Sequence, residues 1–97
     1  MSARMDRLEF YREAVALGSE YVPGDWRWAL VAAENGKTIG ASTEGYRRRI
    51  AAVRNAARGL NLDSEALVAQ VASAARQDRP VLVGFRRGIP LHVVVTP

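Results

Sequence analysis

Arg47, Arg54 and Arg58 recur at a spacing that aligns them on one side of a helix, and no acidic residue interrupts positions 46–60. At 100° per residue from Tyr46 they fall at about 100°, 80° and 120°, a single longitudinal stripe. Arg48 points more directly to solvent on the same wheel, and Arg49 sits near the opposite border of the apolar face. A row of guanidinium groups without carboxylates among them is the chemistry that tracks a phosphate backbone, so Arg47, Arg54 and Arg58 are the candidate nucleic-acid-binding residues. The same side chains have a structural use: their aliphatic stems cover the edge of apolar surface, and cations late in a helix complement its dipole.

Trp26 and Trp28 form the second constellation. Two residues apart on a strand, they share a face. That face is a stacking platform for bases if open, a core if covered by the chain itself, or an anchor if covered by another subunit. With Tyr46 they are the candidate interface residues. His92 is the only histidine and alternates out of phase with Leu91 and Val93. One histidine cannot build a zinc site, and a dyad would need an Asp, Glu, Ser or Thr partner. Cysteine is absent, which removes thiolate nucleophiles, thiolate metal sites and disulfides. Asp25, Glu34, Glu44 and Asp63 are scattered over turns and caps, and no glycine-rich phosphate loop follows a strand. The residues therefore point to no enzyme, catalytic set, metal site, cofactor or small-molecule substrate.

Ninety-seven residues with 48% hydrophobic and 25% charged content suit one domain over 1–97. The formal charge of +4 permits an anionic partner without requiring one. The opening Met1–Arg7 is not followed by the apolar core of a leader, and no stretch approaches the roughly 20 apolar residues of a membrane helix. A cytoplasmic protein with no membrane partner is expected.

The elements that must position these residues follow from periodicity. A short strand is expected at 8–12, then a loop over 13–24 punctuated by Gly18, Ser19, Pro23 and Gly24. Asp25–Ala33 alternates as a strand, and Asn35-Gly36 offers a tight primed turn into a return strand over 37–42. Residues 45–60 switch to helical period, with Tyr46, Ile50, Val53, Ala57 and Leu60 within about 40° of each other. Asp63 caps a second helix from Ser64 to Gln77, its inward face formed by Leu67, Val68, Val71, Ala74 and Ala75. Pro80 starts an extended segment, and Arg87-Gly88 turns it into a closing strand. The expected fold is α+β: an antiparallel sheet from two hairpins plus an N-terminal strand, with two helices on one face.

Phe10-Tyr11, Trp26-Arg27-Trp28, Asn35-Gly36, Ser42 and Gly45-Tyr46 form an ordered set that resembles the YegP-like domain family over residues 8–60. The resemblance implies a small sheet crossed by a helix that Gly-Tyr opens. It also implies a homodimer, because the family associates as two copies and this chain has one. The 13–24 segment is longer than the family's connection, and residues 61–97 have no counterpart in a minimal copy. The tail Arg79–Val95 is similar to the late hairpin of RelE-like toxins, with Pro90-Leu91-His92 followed by valines. That likeness would imply RNA cleavage by His92 with Arg86 or Arg87; an amphipathic hairpin is the plainer reading. The function expected is a small non-catalytic interaction module that associates with itself, the alternative being a nucleic-acid-binding accessory protein that uses the arginine stripe.

Overall fold

Alternation carries the first strand further than its composition suggests. The structure, a computed structural model, describes residues 5–96; Met1–Arg4, read above for a leader, and Pro97 lie outside them. Strand β1 spans Asp6–Leu17 and β2 spans Glu20–Val31, paired from Arg7↔Val31 out to Leu17↔Glu20. The expected loop over 13–24 is thus the distal half of a long hairpin. Its turn is Gly18-Ser19, with φ of +66° at Gly18, the conformation a two-residue turn asks of glycine in first place. Val15, Tyr21 and Val22 are strand formers, and they outweigh the punctuation of Pro23 and Gly24. Pro23 is tolerated because the ribbon has no third strand needing its missing N–H. A bulge between Arg12 and Ala14 shifts the register there.

Strand β3 (Thr38–Ala41) pairs antiparallel with β2. The loop between them is longer than the expected two-residue primed turn. Gly36 has positive φ (+70°) but Asn35 does not. Four residues, Ala33–Gly36, are closed by the Ala32 N–H donating to the Lys37 carbonyl and the Gly36 N–H to the Ala32 carbonyl, each 2.9 Å. The Asn35 side chain accepts from the Lys37 N–H at 2.9 Å, the local bonding that makes Asn a turn residue.

Helix α1 runs Arg49–Gly59 and α2 runs Ser64–Gln77. The second has the expected bounds, and Asp63 caps it by accepting from the Glu65 and Ala66 N–H groups. The first starts four residues later than expected. Tyr46 does not open it: the Trp26 N–H donates to the Tyr46 carbonyl (2.6 Å) and the Tyr46 N–H to the Trp26 carbonyl (2.9 Å). This bridge keeps Tyr46 out of the helix, and the helix begins only after Arg48. Gly45 makes it possible, because a β-carbon there would lie 2.6 Å from Asp25 Cβ.

Strands β4 (Val81–Arg86) and β5 (Ile89–Val95) form the second hairpin. The sheet order is β3-β2-β1-β5-β4, and β5 runs parallel to β1 from Asp6↔Leu91 to Phe10↔Val95. The fold is α+β, but the sheet is mixed where an antiparallel one was expected. The two helices carry the chain from the β3 edge to the opposite edge. The second hairpin then enters with β4 outermost, which leaves β5 beside β1 and pointing the same way.

Both helices pack on one sheet face. Leu8, Phe10, Trp28, Leu30, Leu91 and Val93 meet Ala52, Val53, Ala56 and Ala57 of α1 and Leu67, Val71 and Ala74 of α2 in a single core. Residues 61–96 therefore complete the core begun by 8–60. Alanines along α1 let the helix lie close enough for the Trp28 ring to reach Gly59. Burying Phe10 and Leu8 fully contributes on the order of 2–3 kcal/mol each. Asp6, also fully buried, accepts from the Ala33 N–H (2.8 Å) and from Arg86 Nε (2.7 Å), tying the end of β2 to the far edge strand. No described helix is long and apolar enough to cross a membrane.

Candidate nucleic-acid interface

The site grows out of the Trp26–Tyr46 bridge, since where it releases the chain decides which arginines sit together. Arg48 becomes the N-cap residue of α1 in extended conformation (φ −114°, ψ 139°), and its side chain makes no cap hydrogen bond. From there, residues 51, 54, 55 and 58 share one helix face by their spacing of three and four. A surface cavity of about 500 Å³ opens on that face, lined by Glu44, Tyr46, Arg48, Ile50, Ala51, Arg54, Asn55 and Arg58. Of the expected stripe, Arg54 and Arg58 belong to this cavity. Arg47 is exposed but lies outside it, and Arg48 takes its place.

None of Arg47, Arg48, Arg49, Arg54 or Arg58 forms an ion pair among the described residues; the pairs found are Arg7–Glu9, Arg27–Glu13 and Arg86–Asp6. Glu44, the one carboxylate among the described lining residues, accepts from the Tyr46 hydroxyl at 3.2 Å. Burial first, and then this bond, raise the Tyr46 phenol above its ordinary value, while nearby Arg58 pulls the other way. Tyr46 is therefore a neutral donor with its ring beside the arginines. Ile50, expected in the core, is 40% exposed in the first turn of α1 and lines the cavity, while Val53 and Ala57 of the same stripe are buried.

Of the candidate interface residues, Trp28 is a core residue. It is 6% exposed, and its Nε1–H donates to Asn55 Oδ1 at 2.8 Å, so the sheet is pinned to the helix that carries the arginines. Trp26 is half-buried and lines a second cavity of about 310 Å³ together with Arg12, Arg49, Ala75, Asp78 and Val95. The Arg49 guanidinium carbon stands 5.8 Å from its ring centroid, within cation–π range. Neighbouring residues at the start of α1 thus serve neighbouring cavities, Arg48 one and Arg49 the other. Sequence reasoning missed Arg12 and Asp78. Each is remote in sequence from Trp26 and reaches it only through the hairpin and the end of α2.

The structure does not bring His92 to either site. His92 pairs across the sheet with Arg7 and Leu82, while Leu91 and Val93 point into the core. Its Nδ1 is buried without a hydrogen-bond partner among the described residues. Arg86, its proposed associate, is held by Asp6 on the helix-covered side. Among the described residues no cluster of three or more His, Cys, Asp or Glu could hold a metal. No family model, characterised protein or solved structure matches this chain.

Proposed function

We propose that this protein is a non-catalytic binding module for nucleic acid, held by its phosphates on Arg48, Arg54 and Arg58 with Arg47 and Arg49 flanking. The observation that carries the reading is the set of arginines before and along α1, with no carboxylate paired to any of them among the described residues. A helix N-terminus already bears partial positive charge and favours acidic residues or an anion. Here it carries Arg47-Arg48-Arg49 and no acidic residue in its first turn. The arrangement repels itself until an anion sits on it. A fluorescently labelled oligonucleotide titrated with the protein should show micromolar or tighter binding at low salt that weakens steeply as salt is added. No binding at low salt would refute the reading.

A second reading, self-association, rests on a different observation. β1 pairs with β5 only over Asp6–Phe10, so the hairpin beyond Arg12 is a two-stranded ribbon with both faces open. Leu17 and Tyr21 on it are 66% and 75% exposed. Such a ribbon is marginal alone in water, and a second copy packing its own ribbon against it would cover the apolar side chains. Sedimentation at high micromolar concentration tests this; a strict monomer would refute it. Membership of the YegP-like family belongs to the same proposal. The order strand, strand, strand, helix over 8–60 supports it, while a Gly45-Tyr46 that bridges to Trp26 before the helix departs from the family pattern.

A further inference from the structure

The cavity beside Trp26 has a composition unlike the phosphate-facing one. It offers an indole ring, the apolar side chains of Ala75 and Val95, two guanidinium groups (Arg12 and Arg49) and one carboxylate, Asp78. A site meant only for phosphate would gain nothing from an aromatic wall or a carboxylate. A heterocycle with N–H donors uses all of them: its flat face stacks on the ring, a carboxylate accepts from its amino or imino group, and arginine donates to its carbonyl or ring nitrogen. The volume of about 310 Å³ is at the small end of ligand sites, which run from roughly 300 to 1,000 Å³.

Arg12 is held beside the cavity, its Nε donating to the Gly24 carbonyl at 2.9 Å and its Nη2 to the Pro23 carbonyl at 3.4 Å. Asp78 is set at the C-cap of α2 in left-handed conformation, φ 52° and ψ 44°. Arg49, 5.8 Å from the ring centroid, sits near the outer limit of a cation–π contact. It can yield the ring to a base or present its own plane for stacking.

We propose that this cavity takes one unpaired nucleobase of a single-stranded nucleic acid, stacked against Trp26, while the neighbouring phosphates lie on Arg48, Arg54 and Arg58. The proposal rests on the nucleic-acid reading above and narrows it from any polyanion to a single strand. A base paired within a duplex cannot enter, because its face is stacked and its amino edge is occupied. Adjacent residues Arg48 and Arg49 line the two cavities, so one strand passing the start of α1 reaches both.

The experiment compares four probes against the whole chain at the same low salt: a single-stranded oligonucleotide, a duplex, inorganic polyphosphate and a mononucleotide. Binding is followed by intrinsic tryptophan fluorescence and by competition. Trp28 is buried but bonded to Asn55, which lines the arginine cavity, so a change in emission is assigned to Trp26 by its loss in Trp26→Phe, where Trp28 is the one remaining indole. The single strand is expected to bind most tightly and to quench. Trp26→Leu should weaken it by roughly 5- to 100-fold, the loss of one stacked base, and leave duplex and polyphosphate unchanged. Trp26→Phe, which keeps an aromatic face, should retain most of the affinity and lose the quench, so a poorly folded leucine variant does not decide the matter. Equal binding of single strand, duplex and polyphosphate, with no quench, would overturn the single-strand proposal and leave the electrostatic reading standing. Mononucleotide binding as tight as the oligonucleotide would overturn the strand and assign the cavity to a free nucleotide. No binding by any probe would overturn both.

Discussion

Replacing Arg54 and Arg58 together by alanine tests the electrostatic reading with a number attached. Both side chains are exposed on α1 and neither is ion-paired among the described residues, so folding stability should change by less than about 0.5 kcal/mol. On the electrostatic reading, their contribution to binding would be counterion release. Each phosphate neutralised on a single strand contributes about 0.7 to the magnitude of the slope of log K against log salt. Losing two contacts should therefore flatten the slope by about 1.4. Carried from about 1 M down to about 0.1 M salt, that difference makes the variant about 25-fold weaker at the lower salt, about 2 kcal/mol, and nearly equal to the parent at the higher. The assay is anisotropy of a labelled oligonucleotide at four or five salt concentrations. The control removes the same charge elsewhere: Lys37→Gln with Arg87→Asn, in the turns near the Asp6 end of the sheet. An unchanged slope in the Arg54/Arg58 variant, or an equal loss in the control, would show that net charge and not this face does the binding.

Other expectations concern what holds the site. Arg86→Ala leaves the fully buried Asp6 carboxylate with only the Ala33 N–H among its two donors, and should cost about 3 kcal/mol in urea melts; a loss below about 1 kcal/mol would contradict the role given to this pair. Asn55→Ala strips the acceptor from Trp28 Nε1–H and should destabilise by about 1–3 kcal/mol while leaving Arg54 and Arg58 in place; near-neutral melts would show that water replaces the bond. Glu13 is held below its ordinary value chiefly by its hydrogen bond to Arg27. The sign follows: its contribution to stability is complete above the ordinary glutamate range and is lost as pH falls through the lowered value. Glu13→Gln should accordingly flatten the acid side of the stability–pH profile, and an unchanged acid limb would refute the coupling.

How far the sequence could be read depended on whether a signal was local. The α2 bounds were legible because each signal is local: Asp63 sits directly before the helix, the apolar period runs through it, and Pro80 lies just past its end. The Trp26–Trp28 face was legible because strand alternation alone fixes it. The long hairpin was half-legible: Gly18-Ser19 between Ala-Val-Ala-Leu and Glu-Tyr-Val is a turn signal, but Pro23 and Gly24 masked the strand that continues through them. The parallel β1–β5 pairing was not legible, since periodicity says which face a strand buries and nothing about which neighbour it meets. The start of α1 misled for a similar reason. Residues 45–48 fit the helical wheel, yet two backbone hydrogen bonds exchanged with Trp26, twenty residues earlier, hold Tyr46 out of the helix. That one long-range bridge moves Arg47 off the stripe and brings Arg48 onto it.

The two helices of this chain make a controlled comparison. α2 begins as helices ordinarily do, with Asp63 accepting from two backbone N–H groups and Glu65 in the first turn. α1 begins on Arg47-Arg48-Arg49, with no side-chain cap and no acid. Both cross the same sheet face and share the same core, so packing does not explain the difference. A capping residue at position 48 would stabilise α1 by about 1 kcal/mol, and an acidic first turn would add some tenths more. Local rules are broken where something other than folding sets the residue. What the broken rule produces here is a concentrated, unpaired positive field between two cavities, one walled by arginine and tyrosine and the other by tryptophan. An anion with an aromatic ring attached satisfies both at once, and a nucleic acid strand is the polymer built of such units.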